Sequence, residues 1–436
     1  MEPLTIGIVG SIALIVLVVL GVRVAFAAAL VGILGLVYMR GWPAGIGISG
    51  LIPHAETTHY TLSVLPMFIL IGYLAFYAGI TRGLFDAARK WLARVPGGLA
   101  VATIFATAGF AAVSGASTAT AAVFARIAIP DMLRFGYDKR LAAACVAAGG
   151  TLASLIPPSA ILVIYGVIVE ESVGRLLVAG FIPGIISAFV YAAAIIIRVK
   201  INPEMAPPVT ERFTLREKIV ASQGFWPILF VVGFVMGGIY LGWMTPTESG
   251  ACAAGVVLLM AIARRQMGWG DFGKALMETA RLTVMIFTII FALLIFVRFL
   301  GFAGIQESFK GWIVELPLPR FVILLIILAI YFVLGMFMDA IGMLMLTLPV
   351  IFPAIVALGY DPIWFGIIIV KLVEICLLTP PVGLNCYVVN GVRPDIPLDQ
   401  IFRGVWPFVL ADLAVIGLFI AIPEIVTFLP NAMLGN

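Results

Sequence analysis

Hydroxyl side chains crowd into one short stretch of an otherwise apolar run: Ser114-Gly115-Ala116-Ser117-Thr118-Ala119-Thr120. Hydroxyl and carbonyl oxygens are hard ligands, suited to a hard cation such as Na+. Small residues also let membrane helices approach closely, so a purely structural reading stands beside the ionic one. The punctuation around the stretch favours the ion. Leu155-Ile156-Pro157-Pro158-Ser159 and Leu378-Thr379-Pro380-Pro381-Val382-Gly383-Leu384-Asn385 each put two successive prolines inside a long apolar run. Proline lacks the backbone N–H and clashes with the preceding turn, so each pair breaks its helix and frees carbonyls. The half-helix before such a break ends in partial negative charge, which favours a cation. The half-helix after it begins with partial positive charge, which favours an anion.

These considerations select the candidate residues. For Na+ they are Ser114, Gly115, Ser117, Thr120 and Pro157, then Asp339, Thr379, Pro380 and Gly383. For a bound anion they are Ser117, Thr118, Pro158 and Ser159, then Pro381 and Asn385. Asp339 stands in Gly335-Met336-Phe337-Met338-Asp339, and a carboxylate at membrane depth is costly enough to count as functional by default. It can offset a cation or accept a hydrogen bond from a helix N-terminus. Lys371 and Glu374, three apart on one helical face, are better read as a buried pair holding their helix. Glu248, in Thr245-Pro246-Thr247-Glu248, reads as a helix cap, and Trp42, Trp91 and Trp243 as interface anchors.

The same punctuation recurs along the chain. Pro130, Gly136-Tyr137-Asp138 and Pro157-Pro158 return as Pro353, Gly359-Tyr360-Asp361 and Pro380-Pro381, each displaced by 223 residues (353−130, 359−136, 380−157). A duplicated proline pattern inside apolar runs is the mark of a transporter built from two structural repeats, with cargo bound where the helices break.

Composition agrees with a polytopic membrane protein. Of 436 residues 63% are hydrophobic and 11% charged, against roughly 25% charged in soluble chains. The net charge of +4 is spread over loops, which excludes a nucleic-acid patch. The four cysteines lie far apart in apolar surroundings and read as small buried hydrophobes. The only histidines, His54 and His59, share one loop, so a zinc or histidine-based catalytic centre is not indicated, nor is any transition metal. No hydrolytic triad or phosphate-binding loop is present; the chain does not read as an enzyme. The apolar N-terminus lacks a basic flank, so a retained membrane helix is preferred to a signal peptide.

Candidate spans are 4–22, 24–39, 60–79, 139–170 and 177–197 in the first half. In the second they are 225–243, 247–263, 280–300, 363–391 and 405–428. The runs 97–130 and 321–357 are short for two crossings, which need about 40 residues plus a turn, and read as re-entrant hairpins. The expected fold is therefore all-α, with a first repeat over 1–197, a linker over 198–223 and a second repeat over 224–436. Each repeat has five spans and one hairpin, and the odd number inverts the second relative to the first. Arms at 80–96, rich in Arg and Lys, and 304–318, more acidic, then fall on the cytoplasmic and outer sides, and both termini face outward.

At these residues the chain resembles the large membrane subunit of tripartite ATP-independent periplasmic (TRAP) transporters. The matching elements are Gly109-Phe110 with the Ser114–Thr120 stretch, Pro130 with Gly136-Tyr137-Asp138, Leu155–Ser159, Thr245–Glu248, Asp339 and Leu378–Asn385. One departure is Gly115-Ala116-Ser117 where the family often has Gly-Ser-Ser. The resemblance implies Na+-coupled uptake of a small organic anion, a carboxylate, across the bacterial inner membrane. It also implies a periplasmic substrate-binding protein, a small membrane subunit of about four helices, and an elevator-like displacement of hairpins and broken helices. A stand-alone Na+- or H+-coupled dicarboxylate carrier is the closest rival reading.

Overall fold

The computed structural model describes residues 2–208 and 213–434. These residues form helices and connecting turns, and no strand is found among them. The first half runs α1 (Pro3–Val19), α2 (Val24–Arg40), α3 (Trp42–Thr57), α4 (Val64–Tyr77) and α5 (Ile80–Leu92). It continues with α6 (Gly98–Ser114), α7 (Ser117–Arg134), α8 (Lys139–Thr151), α9 (Ala160–Val169) and α10 (Val173–Ile201). After the short α11 (Leu215–Ala221) come α12 (Trp226–Tyr240), α13 (Pro246–Ala263), α14 (Trp269–Phe302) and α15 (Ile305–Glu315). Then follow α16 (Arg320–Gly335), α17 (Ala340–Ala357), α18 (Pro362–Cys376), α19 (Leu384–Val392), α20 (Leu398–Ala421) and α21 (Glu424–Leu434).

Local chemistry explains the repeated Gly-Tyr-Asp. Gly136 (φ 76°) and Gly359 (φ 78°) take the left-handed conformation that stops α7 and α17. Two residues later an aspartate starts the next helix. Asp138 accepts from Arg140 N at 2.7 Å and Leu141 N at 3.2 Å, and Asp361 accepts from Trp364 N at 2.7 Å. Each triplet is thus a stop followed at once by a start. Thr245 and Glu248 form a reciprocal capping box at the head of α13, as the sequence suggested.

The packing forms two groups of helices that meet along α4 and α6 and where α17 lies on α14 and α15. α2 lies along α14 and α4 along α13 and α14, with α12 against α13. The second group pairs α6 with α7 and α8, α16 with α18, and α20 with α8, α10 and α18. The amphipathic α5 rests on α6 and on the linker helix α11, and its Asp86 pairs with Lys90 at 2.8 Å. Trp91 at its end donates to Ser222 Oγ at 2.8 Å, so this tryptophan fastens the linker as well as facing outward. Arg393 grips Asp395 with two 2.7 Å bonds in the turn after α19, which holds the Asp395 carboxyl below its ordinary value.

Several boundaries differ from the sequence reading. Residues 42–57 form the helix α3, although Pro43, Pro53 and three glycines dilute its apolar character. The third span of the second half is one continuous helix from Trp269, not from 280, because its polar first turns stay helical. The run 405–428 spans two helices, since α20 ends at Ala421 ahead of Pro423. Cys252 is exposed on α13, whereas Cys145, Cys376 and Cys386 are buried as expected.

α16 and α18 meet without a gap. A Cβ built on Gly335 would fall 2.0 Å from Cys376 Sγ and 2.6 Å from its Cβ. Gly335→Ala should therefore cost about 1–3 kcal/mol by overpacking, and Cys376→Gly in the same chain should recover part of it. Melting temperatures of the two variants and the double variant in detergent measure this directly.

Candidate functional site

The runs read as hairpins each fold into two consecutive helices, α6–α7 and α16–α17, and both proline pairs lie between helices. The first hairpin turns at Gly115 (φ 60°), whose left-handed conformation ends α6, and at Ala116, which is extended and precedes α7. Its tip is buried: Ser114, Gly115, Ser117 and Thr120 are all buried, with Thr118 partly so. Ser114 Oγ and Thr120 Oγ1 share a 2.7 Å hydrogen bond across the tip.

The first break faces this tip. α8 ends at Thr151, one short turn covers Leu152–Ser154, and α9 restarts at Ala160. Pro157-Pro158 lies between them with a cis peptide bond, as does Pro380-Pro381 between α18 and α19. Ala160 N donates to Gly115 O at 3.3 Å. A Cβ on Gly115 would lie 2.7 Å from Pro158 O, so only glycine admits this approach. Ser159 starts α9 by accepting from Leu162 N at 3.2 Å, and its hydroxyl donates to Ser154 O. Main-chain and hydroxyl bonds thus pair several of the polar groups that the break frees.

The second tip and break repeat the arrangement loosely. Val382 N donates to Met336 O at 3.3 Å, and Asn385 N to Leu377 O at 3.0 Å. Gly383 (φ 47°) opens α19, and Thr379 Oγ1 donates to Ile375 O at 2.9 Å. Asp339 Oδ2 accepts from Gly342 N at 3.0 Å and so caps α17. No hydrogen bond ties its carboxylate to Thr379 or Gly383 among the described residues. This end is more open, with Pro380 and Asp339 half-buried and Pro381 exposed.

At the first tip one side chain from the second half joins in. Asn385, from the second break, donates to Ser117 Oγ at 2.9 Å and to Ala147 O at 3.1 Å. It therefore belongs with the first tip as much as with the second. Its Oδ1 is buried and accepts nothing, and Ser154 Oγ beside the first break is likewise unpartnered. Sequence reasoning proposed Asn385 but missed Ser154, which carries no signal beyond its nearness to Pro157. It also missed Asp412, which meets Lys371 Nζ at 2.6 Å beside the expected Lys371–Glu374 pair, also at 2.6 Å.

Two cavities lie between the helices, one of them against the site. One of about 180 Å³ lies against the first tip, between α4, α14 and the α6–α7 hairpin. Ser114, Ala116 and Ala119 line it with Tyr73, Arg126 and Glu278. Tyr77 donates to Glu278 at 2.7 Å, while Arg126 makes no ion pair among the described residues. The other, about 810 Å³, separates α14 from α9 and α17 and is lined by Glu56, His59, Glu170 and Arg298 among others. Neither sequence pattern nor periodicity marked Arg126, because its neighbours are apolar. At the first tip α4 closes in: a Cβ on Gly72 would lie 2.7 Å from Ser114 Cα.

Apolar helices long enough to cross a membrane, with two helix breaks at paired prolines, define a polytopic membrane protein. The chain belongs to the family of the DctM component of tripartite ATP-independent periplasmic transporters, whose profile it matches over residues 11–425. It is 37% identical over 375 residues to the C4-dicarboxylate TRAP transporter large permease protein DctM of Pseudomonas aeruginosa, covering 86% of this chain and 87% of that one. It is 31% identical to the isethionate TRAP transporter permease protein DctMQ of Oleidesulfovibrio alaskensis, over 94% of this chain and 64% of that one. The fold is shared with the Neisseria gonorrhoeae MtrF efflux pump, at a TM-score of 0.58 and 13% identity, over 89% of this chain and 86% of that one. The chain is thus a transporter subunit and not an enzyme.

Removing Asn385 would leave Ser117 Oγ and Ala147 O short of a buried partner. Asn385→Ala should cost about 1–3 kcal/mol, and a cycle with Ser117→Ala should show coupling of about 1 kcal/mol. Chemical or thermal unfolding of the three variants checks both figures.

Proposed function

We propose that this chain is the membrane-embedded engine of a Na+-coupled importer for a small organic anion, handed over by a periplasmic binding protein. A small membrane subunit completes it in the bacterial inner membrane. The observation that carries the ion reading is the pair of unpartnered buried oxygens, Asn385 Oδ1 and Ser154 Oγ, beside the first tip and break. An unsatisfied buried acceptor costs about 1–3 kcal/mol, and a hard cation removes that cost. Ser114, Gly115, Ser117, Thr120 and Pro157 would form one Na+ site with these oxygens. Asp339, Thr379, Pro380 and Gly383 would form the second. The named relatives carry a C4-dicarboxylate and a sulfonate, isethionate, so an anionic head group is the common requirement.

Anion binding falls between the tips. Thr118, Pro158, Ser159 and Pro381 would supply hydroxyls and helix N-termini, and Arg126 in the adjoining cavity would supply the charge. Alternating access follows from rigid displacement of the hairpins and broken helices against α2, α4, α13 and α14. The two halves act as inverted repeats over 1–197 and 224–436, with the basic arm cytoplasmic and both termini periplasmic. The fused DctMQ relative, which this chain covers for 64% of its length, agrees with a further membrane component as partner.

Asp339→Asn separates capping from charge, because asparagine caps a helix as well as aspartate. In proteoliposomes holding the permease, the small subunit and the loaded binding protein, the Na+ concentration for half-maximal uptake should rise about tenfold for Asp339→Asn. An unchanged Na+ response would remove Asp339 from the ion site. Uptake by the permease alone would instead support a stand-alone carrier. Arg126→Gln should raise the KM for the anion about tenfold with the Na+ response intact, as expected for one lost charge-assisted bond.

A further inference from the structure

Behind the broken helices lies a charged cluster that the transport reading does not use. Lys371 and Glu374 come from α18, Asp412 from α20, Tyr191 from α10 and Thr151 from the end of α8. All five have 0% exposure. Lys371 Nζ sits 2.6 Å from Glu374 Oε2 and 2.6 Å from Asp412 Oδ1. Tyr191 donates to Asp412 Oδ2 at 2.6 Å, and Thr151 Oγ1 and Tyr191 Oη are 3.3 Å apart. The ammonium lies 5.2 Å from the centroid of the Tyr191 ring.

The charges do not balance. One ammonium faces two carboxylates, which leaves one negative charge inside a membrane protein, where isolated charge is strongly disfavoured. Groups on the surrounding elements do not supply the missing positive charge. Tyr331 on α16 is engaged with Thr347, Tyr165 on α9 with Pro362 O, and Arg198 on α10 with Gly404 O. Glu424 on α21 is exposed, and Cys376 on α18 donates to carbonyls of α16. Neither cavity is lined by Lys371, Glu374 or Asp412, and no three metal-binding side chains converge among the described residues. A bare proton is the cation that needs no cavity. Both oxygens of Asp412 are met, Oδ2 by the Tyr191 hydroxyl and Oδ1, which has no hydrogen bond, by Lys371 Nζ at 2.6 Å, whereas Glu374 Oε1 is buried with no partner of either kind.

We propose that Glu374 holds a resident proton, so that the Lys371–Glu374–Asp412 cluster is neutral and rides with the broken helices without exchanging its proton during transport. Glutamine is then a faithful stand-in for Glu374. In Asp412→Asn, Glu374 gives up the proton to pair with Lys371.

Infrared difference spectra of the full chain in lipid bilayers, on titration from neutral to alkaline pH, test this. Wild type should show the carbonyl stretch of a buried carboxylic acid, lost in Glu374→Gln and in Asp412→Asn but retained in Asp339→Asn. Melting temperature should fall as pH rises in wild type, because the folded state alone keeps the proton, and this slope should vanish in Glu374→Gln. Absence of the band in wild type, or a band or slope unchanged in Glu374→Gln, overturns the proposal. These readouts do not involve uptake, so they stand whichever ion drives transport.

Discussion

A backbone amide or carbonyl in the hydrocarbon core must find a partner within the protein, and every unusual feature of this chain answers to that demand. Two proline pairs interrupt helices where an unpaired group is most costly. The breaks are tolerable because each meets a hairpin tip through a main-chain bond: Ala160 N to Gly115 O, and Val382 N to Met336 O. Glycine at 115 permits the closest of these approaches. Each break and its facing tip are therefore joined through the backbone.

The interlock extends across the halves. Asn385 reaches from the second break to the first tip, Tyr165 from α9 to Pro362 O, and Tyr191 from α10 to Asp412 on α20. These ties join the first hairpin to both broken helices, while α17 of the second hairpin packs chiefly on α14 and α15. The remaining helices, α2, α4, α13 and α14, pack chiefly on each other. At one side α5 rests on α6 and on the linker helix α11.

Much of this was legible in the sequence because its signals are local. Paired prolines, Gly-Tyr-Asp and a run of small hydroxyl residues act on the residues beside them, so their spacing alone placed the breaks and tips. The capping box at Thr245–Glu248 is likewise read from four consecutive positions. What escaped is tertiary. Asp412 lies in an apolar helix far along the chain from Lys371, and no spacing rule joins them. Arg126 has meaning only through the cavity that α4 and α14 close around it. Helix α3, diluted by glycine and proline, is held by its contacts with α2 and α14 rather than by its own propensity.

The two tips are unequally enclosed, the first packed closely by Gly72 of α4 and the second half-open around Asp339 and Pro381. A larger side chain is therefore harder to accommodate where α4 approaches Ser114 than around Pro381, and sequence drift meets less steric resistance at the second tip.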